Sequence, residues 1–272
     1  MLRRSGRRIS PWRLVLALGG LAAGTASAAP GEEPALWKLW QQHAQEPDNH
    51  PAAFEAAQAF EKQFPKSPLL GVTRGLVAWH ALKAGRPAEA AKVLESMAGE
   101  GEGADPLAKA AREMALRWLT RLDREQWPPV LKAYYADHVE FPAKLDGFAA
   151  LPEAKRPPMS DRWGKPWVYR IAPLIRLRTN LGQTFVLQSS VLGETTELAK
   201  ALKLPYAAGI DLRPVRLVSG AAGTAVLFEA GTEKPLLTVG TAQGRVTFAW
   251  MGAETIVLSN GDHWQLLRRP PP

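Results

Sequence analysis

The chain has 272 residues, more than the roughly 100–200 of a usual domain, so we expect two or three modest domains rather than one large core. Hydrophobic residues make up 46% and charged residues 22%, an ordinary globular composition that argues against disorder and against a coiled coil. The formal charge of +8 raises nucleic acid or an anionic membrane surface as a partner, while the absence of cysteine excludes disulfides, thiolate nucleophiles and zinc–thiolate sites.

The first 28 residues have the order of a secretory signal peptide: five arginines, an apolar run over residues 14–23, and a small-residue site at Ala26-Ser27-Ala28. We expect cleavage after Ala28 and an exported, periplasmic protein; if uncleaved, the same segment would anchor the chain in the inner membrane. This segment holds no acidic residue, so its removal lowers the formal charge from +8 to +3. No dense basic patch remains, and we expect no nucleic-acid partner.

Residues 29–130 are predicted to form a helical domain, because apolar residues recur with a helical period and strand-like alternation is missing. A helix over residues 69–83 is joined by a turn at residues 85–87 to another helix. Asp105 caps the next helix, and a last one begins at residues 128–129.

Small residues at Gly85 and Ala90, where paired helices must approach closely, and the sequence of residues 64–68 (Phe-Pro-Lys-Ser-Pro) resemble features of tetratricopeptide repeats. The resemblance covers one to two repeats and implies a concave surface that binds a peptide or protein. A plain antiparallel helix bundle, whose apolar stripes only form a core, is the alternative.

Residues 131–205 contain a turn of specific sequence between Asp161 and Tyr169. The Asp161 carboxylate can accept backbone N–H groups two residues on, Gly164 can adopt a positive φ, and Pro166 fixes the exit of the chain. Tryptophan rings at 163 and 167 supply buried area. We therefore predict a structural turn that leads into a strand. The residues assigned to it are Asp161, Trp163, Gly164, Pro166 and Tyr169.

Residues 135–189, which carry this turn and a following strand that ends in Ser189, resemble the C-terminal globular part of type II secretion major pseudopilins. The resemblance implies a helix packed on a small sheet. The chain lacks the prepilin cleavage site of that family and the glutamate that follows it, so we expect no polymerisation as a pilin. The loop after Ser189 has too few oxygen ligands to replace the calcium loop of the family, so we expect no metal site and no cofactor.

Residues 206–272 are predicted to form a small antiparallel β-barrel or sandwich with a proline-rich tail, because the apolar period changes to two over about six short strands. Asn260-Gly261 predicts a hairpin with a type I′ turn, since both residues tolerate a positive φ. Residues 236–262 are similar to the homology-region domain of the type II secretion clamp protein and of the pilus assembly lipoprotein, which implies docking on a secretin. The whole chain is expected to be an α+β protein.

The sequence shows no catalytic motif, and we predict that the protein is not an enzyme. The five histidines are scattered without metal-ligand spacing, and His80 is expected to be a buried core histidine with satisfied hydrogen bonds. An unrecognised hydrolase, with Asp161 acting beside His138 or Glu140, is one alternative.

Three of the ten tryptophans, Trp37, Trp40 and Trp264, are candidates for an exposed interaction surface. The leading hypothesis is a non-catalytic scaffold or adaptor that binds another cell-envelope protein, such as a secretin or a pseudopilin-like protein, in a type II secretion or pilus-like system. A peptidoglycan- or carbohydrate-binding envelope module, which would use exposed tryptophans, is the other alternative.

Overall fold

The structure is a computed structural model and describes residues 27–100, 105–177, 180–220 and 223–271. The predicted signal segment therefore lies almost entirely outside the described residues. The helices are α1 (Glu32–Gln45), α2 (His50–Gln63), α3 (Leu70–Lys83), α4 (Pro87–Glu100), α5 (Pro106–Glu125), α6 (Trp127–His138) and α7 (Leu198–Lys203).

Local sequence explains where these helices begin. The Asn49 side chain accepts the N–H of Ala52 at 3.3 Å at the start of α2, and Asp105 accepts the N–H of Ala108 at 3.0 Å at the start of α5. Prolines occupy the first turns of α2, α5 and α6, where the missing N–H costs no hydrogen bond. The predicted helix over residues 69–83 and the predicted cap at Asp105 are both confirmed.

The strands form three small antiparallel sheets, so the predicted α+β class is confirmed. The first sheet is a hairpin, the second has the order β3-β4-β5, and the third has the order β6-β7-β8-β9. The strands are β1 (Val168–Leu177), β2 (Asn180–Gln188), β3 (Arg213–Gly220), β4 (Gly223–Glu229), β5 (Leu236–Leu237), β6 (Ala242–Gln243), β7 (Val246–Met251), β8 (Thr255–Ser259) and β9 (Trp264–Arg268).

The third sheet is buried on both faces. One face carries Phe248, Ile256 and Leu258 into a cluster with Val226 and Phe228 of the second sheet. The opposite face carries another set of side chains into the core of the helices, namely Ala249, Trp250, Val257, Trp264 and Leu266. The five residues of β8 are accordingly all buried, as in a central layer of three. The second and third sheets face each other across one core but do not close into a barrel.

The third sheet covers the side of the helices formed by α1, α3 and α5. At α1, the Glu33 carboxylate accepts the N–H groups of Ala253 (2.8 Å) and Glu254 (2.9 Å) in the β7–β8 turn. At α3, Gly75 lies directly under the indole of Trp264. The helical segment and the C-terminal strands therefore share a single core.

A third, smaller core belongs to the middle segment. It packs α6 against the β1–β2 hairpin and the irregular chain between them, through the buried side chains of Trp127, Leu131, Phe141, Leu145, Phe148, Trp167 and Leu187. Both indole N–H groups, of Trp127 (3.0 Å) and Trp167 (2.7 Å), donate to the carbonyl of Pro158. This arrangement places the Asp161 turn at the boundary between the third core and α5.

Candidate functional sites

The Asp161 turn uses its carboxylate entirely for structure. Its Oδ1 accepts the N–H groups of Trp163 (3.1 Å) and Lys165 (2.9 Å), and its Oδ2 accepts the hydroxyl of Ser189 (2.7 Å). Gly164 has a φ of +76°, the left-handed conformation that the sequence predicts for it. The Asp161 side chain is buried and both its oxygens accept hydrogen bonds from the protein, so the residue is not available as the base of a hydrolase.

The remaining residues assigned to this turn also have structural contacts. Pro166 pairs with Ser160 in an isolated β-bridge that closes the turn. The Tyr169 hydroxyl donates to the carbonyl of Pro142 at 2.9 Å. His138, the other member of the hydrolase hypothesis, stacks on the ring of Tyr134 and is exposed. No hydrogen bond of the described residues links it to Asp161.

The turn docks on α5 through an ion pair that sequence reasoning missed. Arg162 contacts Asp123 with two nitrogens, one of them Nη2 to Oδ1 at 3.0 Å, and also contacts Glu95 at 2.9 Å. Burial raises the pKa of Asp123, and the hydrogen bond and charge of Arg162 partly offset that effect. The hydrogen bond to Asp123 in turn raises the pKa of Arg162. Trp163 adds an indole N–H to Glu113 at 3.3 Å.

The Asn260-Gly261 hairpin joins β8 to β9, but its turn is not the predicted type I′. Ser259 pairs with Trp264, so four residues, 260–263, form the loop, and only Gly261 has a positive φ (+86°). The reason is the Asn260 side chain, whose Oδ1 accepts the N–H groups of Asp262 (2.9 Å) and His263 (2.7 Å). The longer loop turns Asp262 and His263 toward the helices.

The predicted tryptophan surface is wrong. Trp264 is fully buried over Gly75, and Trp40 is buried against the rings of His43 and Tyr206. Trp37 is half-buried, donating its indole N–H to Thr255 at 2.8 Å. The physical reason is that α1 and α3 cover the third sheet, so these rings are needed to fill the contact between helices and strands. None of the three is available for stacking on a sugar.

Asp262 is the centre of a buried ion network. Its carboxylate accepts from Arg117 (2.9 and 3.1 Å) and from Arg121 (2.7 Å), and the Trp118 indole donates to its carbonyl at 2.8 Å. Burial alone would raise the pKa of Asp262, but the hydrogen bonds and charges of the two arginines hold it well below its ordinary value. The network fastens the β8–β9 loop to the middle of α5.

Four of the five histidines converge in one place, which the sequence analysis did not predict. We call His43, His50, His80 and His263 the histidine cluster. The Nδ1 of His43 lies 3.1 Å from the Nε2 of His80, and the Nδ1 of His50 lies 2.9 Å from the Nδ1 of His80. His263 completes the group through the ring of Tyr206, which contacts both His43 and His263.

Burial favours the neutral imidazole at His43, His80 and His263. Burial lowers the pKa of His43 to about 4 and that of His80 to about 3, where positive charge on His43 and His50 adds to the effect. Burial also lowers the pKa of His263 to about 4. A neutral His80 donates from one ring nitrogen and accepts at the other, so it links His43 and His50 in a chain.

The histidine cluster is not a metal centre. Both ring nitrogens of His80 are already engaged with other imidazoles, and within the described ranges no group of three His, Asp or Glu side chains could hold a metal ion. The sequence contains one signal for this cluster. His43 continues the helical stripe of Leu36, Leu39 and Trp40, which indicates that its side chain is buried in the core. Its partner on α3 could not be identified without the helix packing.

Two grooves flank α2. They lie on the outer side of the helical domain, away from the contact between this domain and the third sheet. The groove between α2, α3 and α4 has a volume of about 310 Å³ and an apolar floor that includes Phe54, Val77 and Val93. Its rim carries the ion pair between Arg74 and Glu61, with Nε to Oε1 at 3.1 Å. The groove between α1 and α2 measures about 370 Å³ and is lined by four alanines, Leu39 and Phe60 together with four polar or charged side chains.

Comparisons with known proteins identify no relative: no protein-family model, no curated protein and no solved structure matches the chain. Among the helices of the described segments, none combines the length and apolarity needed to cross a membrane.

Proposed function

We propose that the protein is an exported, non-catalytic scaffold or adaptor that binds another protein of the cell envelope in a type II secretion or pilus-like system. The observation that carries the proposal is the surface around α2, where two grooves, each lined in part by apolar side chains, lie side by side. Grooves of this kind between helices accept an apolar segment of a partner, with flanking charges that fix its orientation.

The α1/α3/α5 side of the helices is not open to a partner, because the third sheet of the same chain covers it. The binding surface that the tetratricopeptide resemblance implies would therefore lie on another side of the helices. The side of the helices around α2 carries the two grooves, and Ala53, Ala57 and Phe60 are the buried residues of α2. Gln58 and Ala59 project from α2 as exposed residues.

Two further observations support a binding role over catalysis. The carboxylate of Asp161, the residue proposed for a hydrolase, is consumed by three hydrogen bonds. The tryptophans proposed for sugar stacking lie in the contact between helices and strands. The assignment to a secretion or pilus-like system rests on the resemblance of residues 135–189 and 236–262 to components of those machines.

Site-specific photo-crosslinking in the cell envelope tests the proposal. A photoreactive amino acid replaces Gln58 or Ala59, and a matched control carries it at Asp146, which is equally exposed but belongs to the middle segment. We expect both α2 positions to crosslink the same envelope protein and the control position not to do so. Crosslinks absent at α2, or identical at all three positions, would overturn the proposal. Recovery with insoluble peptidoglycan, without any protein partner, would overturn it equally.

A further inference from the structure

A cleft of about 600 Å³ lies between α5 and the third sheet. Its volume is within the range of about 300–1,000 Å³ that holds small-molecule ligands. The Val191 segment after β2 forms one side of it. The residues that carry the argument are Lys109, Glu113 and Arg117 of α5, Arg245 and Thr247 at the start of β7, and Gly261 of the β8–β9 loop.

The cleft has an excess of positive charge that the protein itself does not neutralise. Arg117 is held in place by Asp262, and the acidic residue of the lining, Glu113, accepts from the Trp163 indole and lies 4.0 Å from Arg117. Lys109 and Arg245 take part in no ion pair with the described residues. Among the described residues, these two side chains are therefore cations without an acidic partner, one on α5 and one in the turn before β7.

Glycines allow the strand loops on one side of the cleft to lie close to α5 on the other. A Cβ at Gly261 would lie 3.0 Å from Cδ and 3.1 Å from Nε of Arg117, and its φ of +86° further disfavours any side chain. Gly240, at φ +90°, leaves room in the same way for Pro106. A side chain at position 261 would press against Arg117, which would have to shift by a few tenths of an ångström.

We propose that this cleft binds a small, multiply charged oxyanion, a molecule with two or more phosphate or carboxylate groups. Lys109 and Arg245 would each contact one charged group, and Arg117, already oriented by Asp262, would lie between them. Guanidinium groups match the planar oxygen pairs of phosphate and carboxylate, and both sign and geometry favour an anion. Thr247 adds a hydroxyl to the same lining.

Calorimetric titration of the purified protein with pyrophosphate, and separately with citrate, tests this site at constant ionic strength. We expect a Kd of about 1 mM or tighter for at least one of them. We expect Lys109→Gln and Arg245→Gln each to weaken binding by about tenfold, which is the usual scale of one charge-assisted hydrogen bond. Pyrophosphate binding without citrate binding would assign the site to phosphate; binding of both would extend it to carboxylates.

The matched control is Lys132→Gln, which removes an equally exposed lysine from α6, outside the cleft. This control should bind both anions as the unmodified protein does. The two cleft variants change exposed side chains, so their unfolding by urea should be unaltered. Absence of binding for both anions, or binding unchanged in both cleft variants, would overturn the proposal. The cleft shares no residue with the grooves at α2, so this result is independent of the proposed function.

Discussion

At the scale of single residues, the glycines of α3 decide how closely the helices and the third sheet approach. Gly71 and Gly75 are one helical turn apart, and the Cβ of Ala111 on α5 lies only 2.9 Å from where a Cβ of Gly71 would be. At Gly75 the same construction meets Nε1 of Trp264 at 2.5 Å and Sδ of Met114 at 2.8 Å. The absence of a side chain is therefore what allows Trp264 to lie against the backbone of α3.

We predict that Gly75→Ala destabilises the protein by about 1–3 kcal/mol, because the added methyl must displace Trp264 and Met114 from a packed core. Alanine has a higher helix propensity than glycine, which by itself stabilises the variant by about 1 kcal/mol. The measured loss of stability is therefore the cost of the clash minus this gain. The matched control is Gly99→Ala in α4, where a Cβ meets nothing within 4 Å. Urea unfolding of both variants checks the prediction. Equal stability of the two would contradict the close approach.

The Asp161 carboxylate supports a second prediction at this scale. Asp161→Asn replaces one oxygen by an NH₂ group, so at least one of three hydrogen bonds, from Trp163, Lys165 or Ser189, is lost. We expect a loss of about 1–3 kcal/mol, the cost of an unsatisfied buried partner. The exposed Asp137→Asn is the control and should change stability little. A folded Asp161→Asn with unchanged stability would reopen a catalytic role for this residue.

At the scale of elements, α5 joins all three parts of the chain. Its Asp123 holds the Asp161 turn through Arg162, and its Arg117 and Arg121 hold the β8–β9 loop through Asp262. Arg121 also donates to the carbonyl of Thr195 at 2.8 Å, which fixes the chain that follows β2. Charged residues on α5 therefore act as connectors between segments that are distant in sequence.

A double-mutant cycle on Arg121 and Asp262 measures this connection. The Arg121 side chain is 1% exposed and that of Asp262 is 18% exposed. Asp262→Ala therefore leaves the desolvated charge of Arg121 without its acidic partner, whereas Arg121→Ala leaves Asp262 paired with Arg117 alone. We expect losses of about 3–5 kcal/mol for Asp262→Ala and a coupling energy of about 1–3 kcal/mol for the pair. Arg268 and Glu254, which are 57% and 66% exposed at 3.1 Å, form the control pair. Their coupling should stay below about 1 kcal/mol. Similar couplings in the two pairs would contradict the role of α5.

The sequence predicted these elements correctly where residues close together in the chain determine the structure. Helix starts at Asn49 and Asp105 and the turn at Gly164 follow from neighbouring residues, and the helix starting at Asp105 and the positive φ of Gly164 were predicted. The Asn260 turn was predicted wrongly because a side-chain amide competed with the backbone preference of an Asn-Gly pair.

The candidate sites were mostly beyond local prediction. The tryptophans at 37, 40 and 264 appeared free because nothing in their own segments marks the covering of α1 and α3 by the third sheet. The histidine cluster likewise joins α1, α2, α3 and the β8–β9 loop, over sequence separations of up to 220 residues, as His43 and His263 show. Pairing of this kind follows from the arrangement of the elements, which a single sequence does not specify.

At the scale of the whole molecule, the shared core predicts one cooperative unit from the helices and the C-terminal strands. The largest buried cluster contains residues of α1, α3, α4 and α5 together with those of β7, β8 and β9. Separation of the helices from the C-terminal strands would expose Trp250 and Trp264 to water. The histidine cluster lies within this unit, because His43 and His80 come from the helices and His263 from the loop between β8 and β9.

We therefore predict that this unit loses stability as pH falls from 7 to 5. His43, His80 and His263 have pKa values of about 4, 3 and 4 in the folded protein, against 6.5 for an ordinary histidine. Protons thus bind more readily to the unfolded chain, so the contribution of these histidines is full above pH 6.5 and is lost as pH falls toward 4. Each histidine should cost about 2 kcal/mol between pH 7 and 5. The lowered pKa of Asp262 keeps its own contribution intact over that range.

Urea unfolding at pH 7.5, 6 and 5 measures how steeply the free energy of unfolding changes with pH. Two variants identify which histidines cause this pH slope. His263→Phe removes one titrating ring, and since neither nitrogen of His263 has a hydrogen-bond partner in the described structure, the substitution should cost little at pH 7.5. It should make the pH slope shallower by about one third, because only two of the three imidazoles that take up a proton on unfolding remain. His138→Gln, at the exposed histidine that stacks on Tyr134, should leave the slope unchanged. A slope equal in all three proteins would mean that the loss of stability originates outside the histidine cluster.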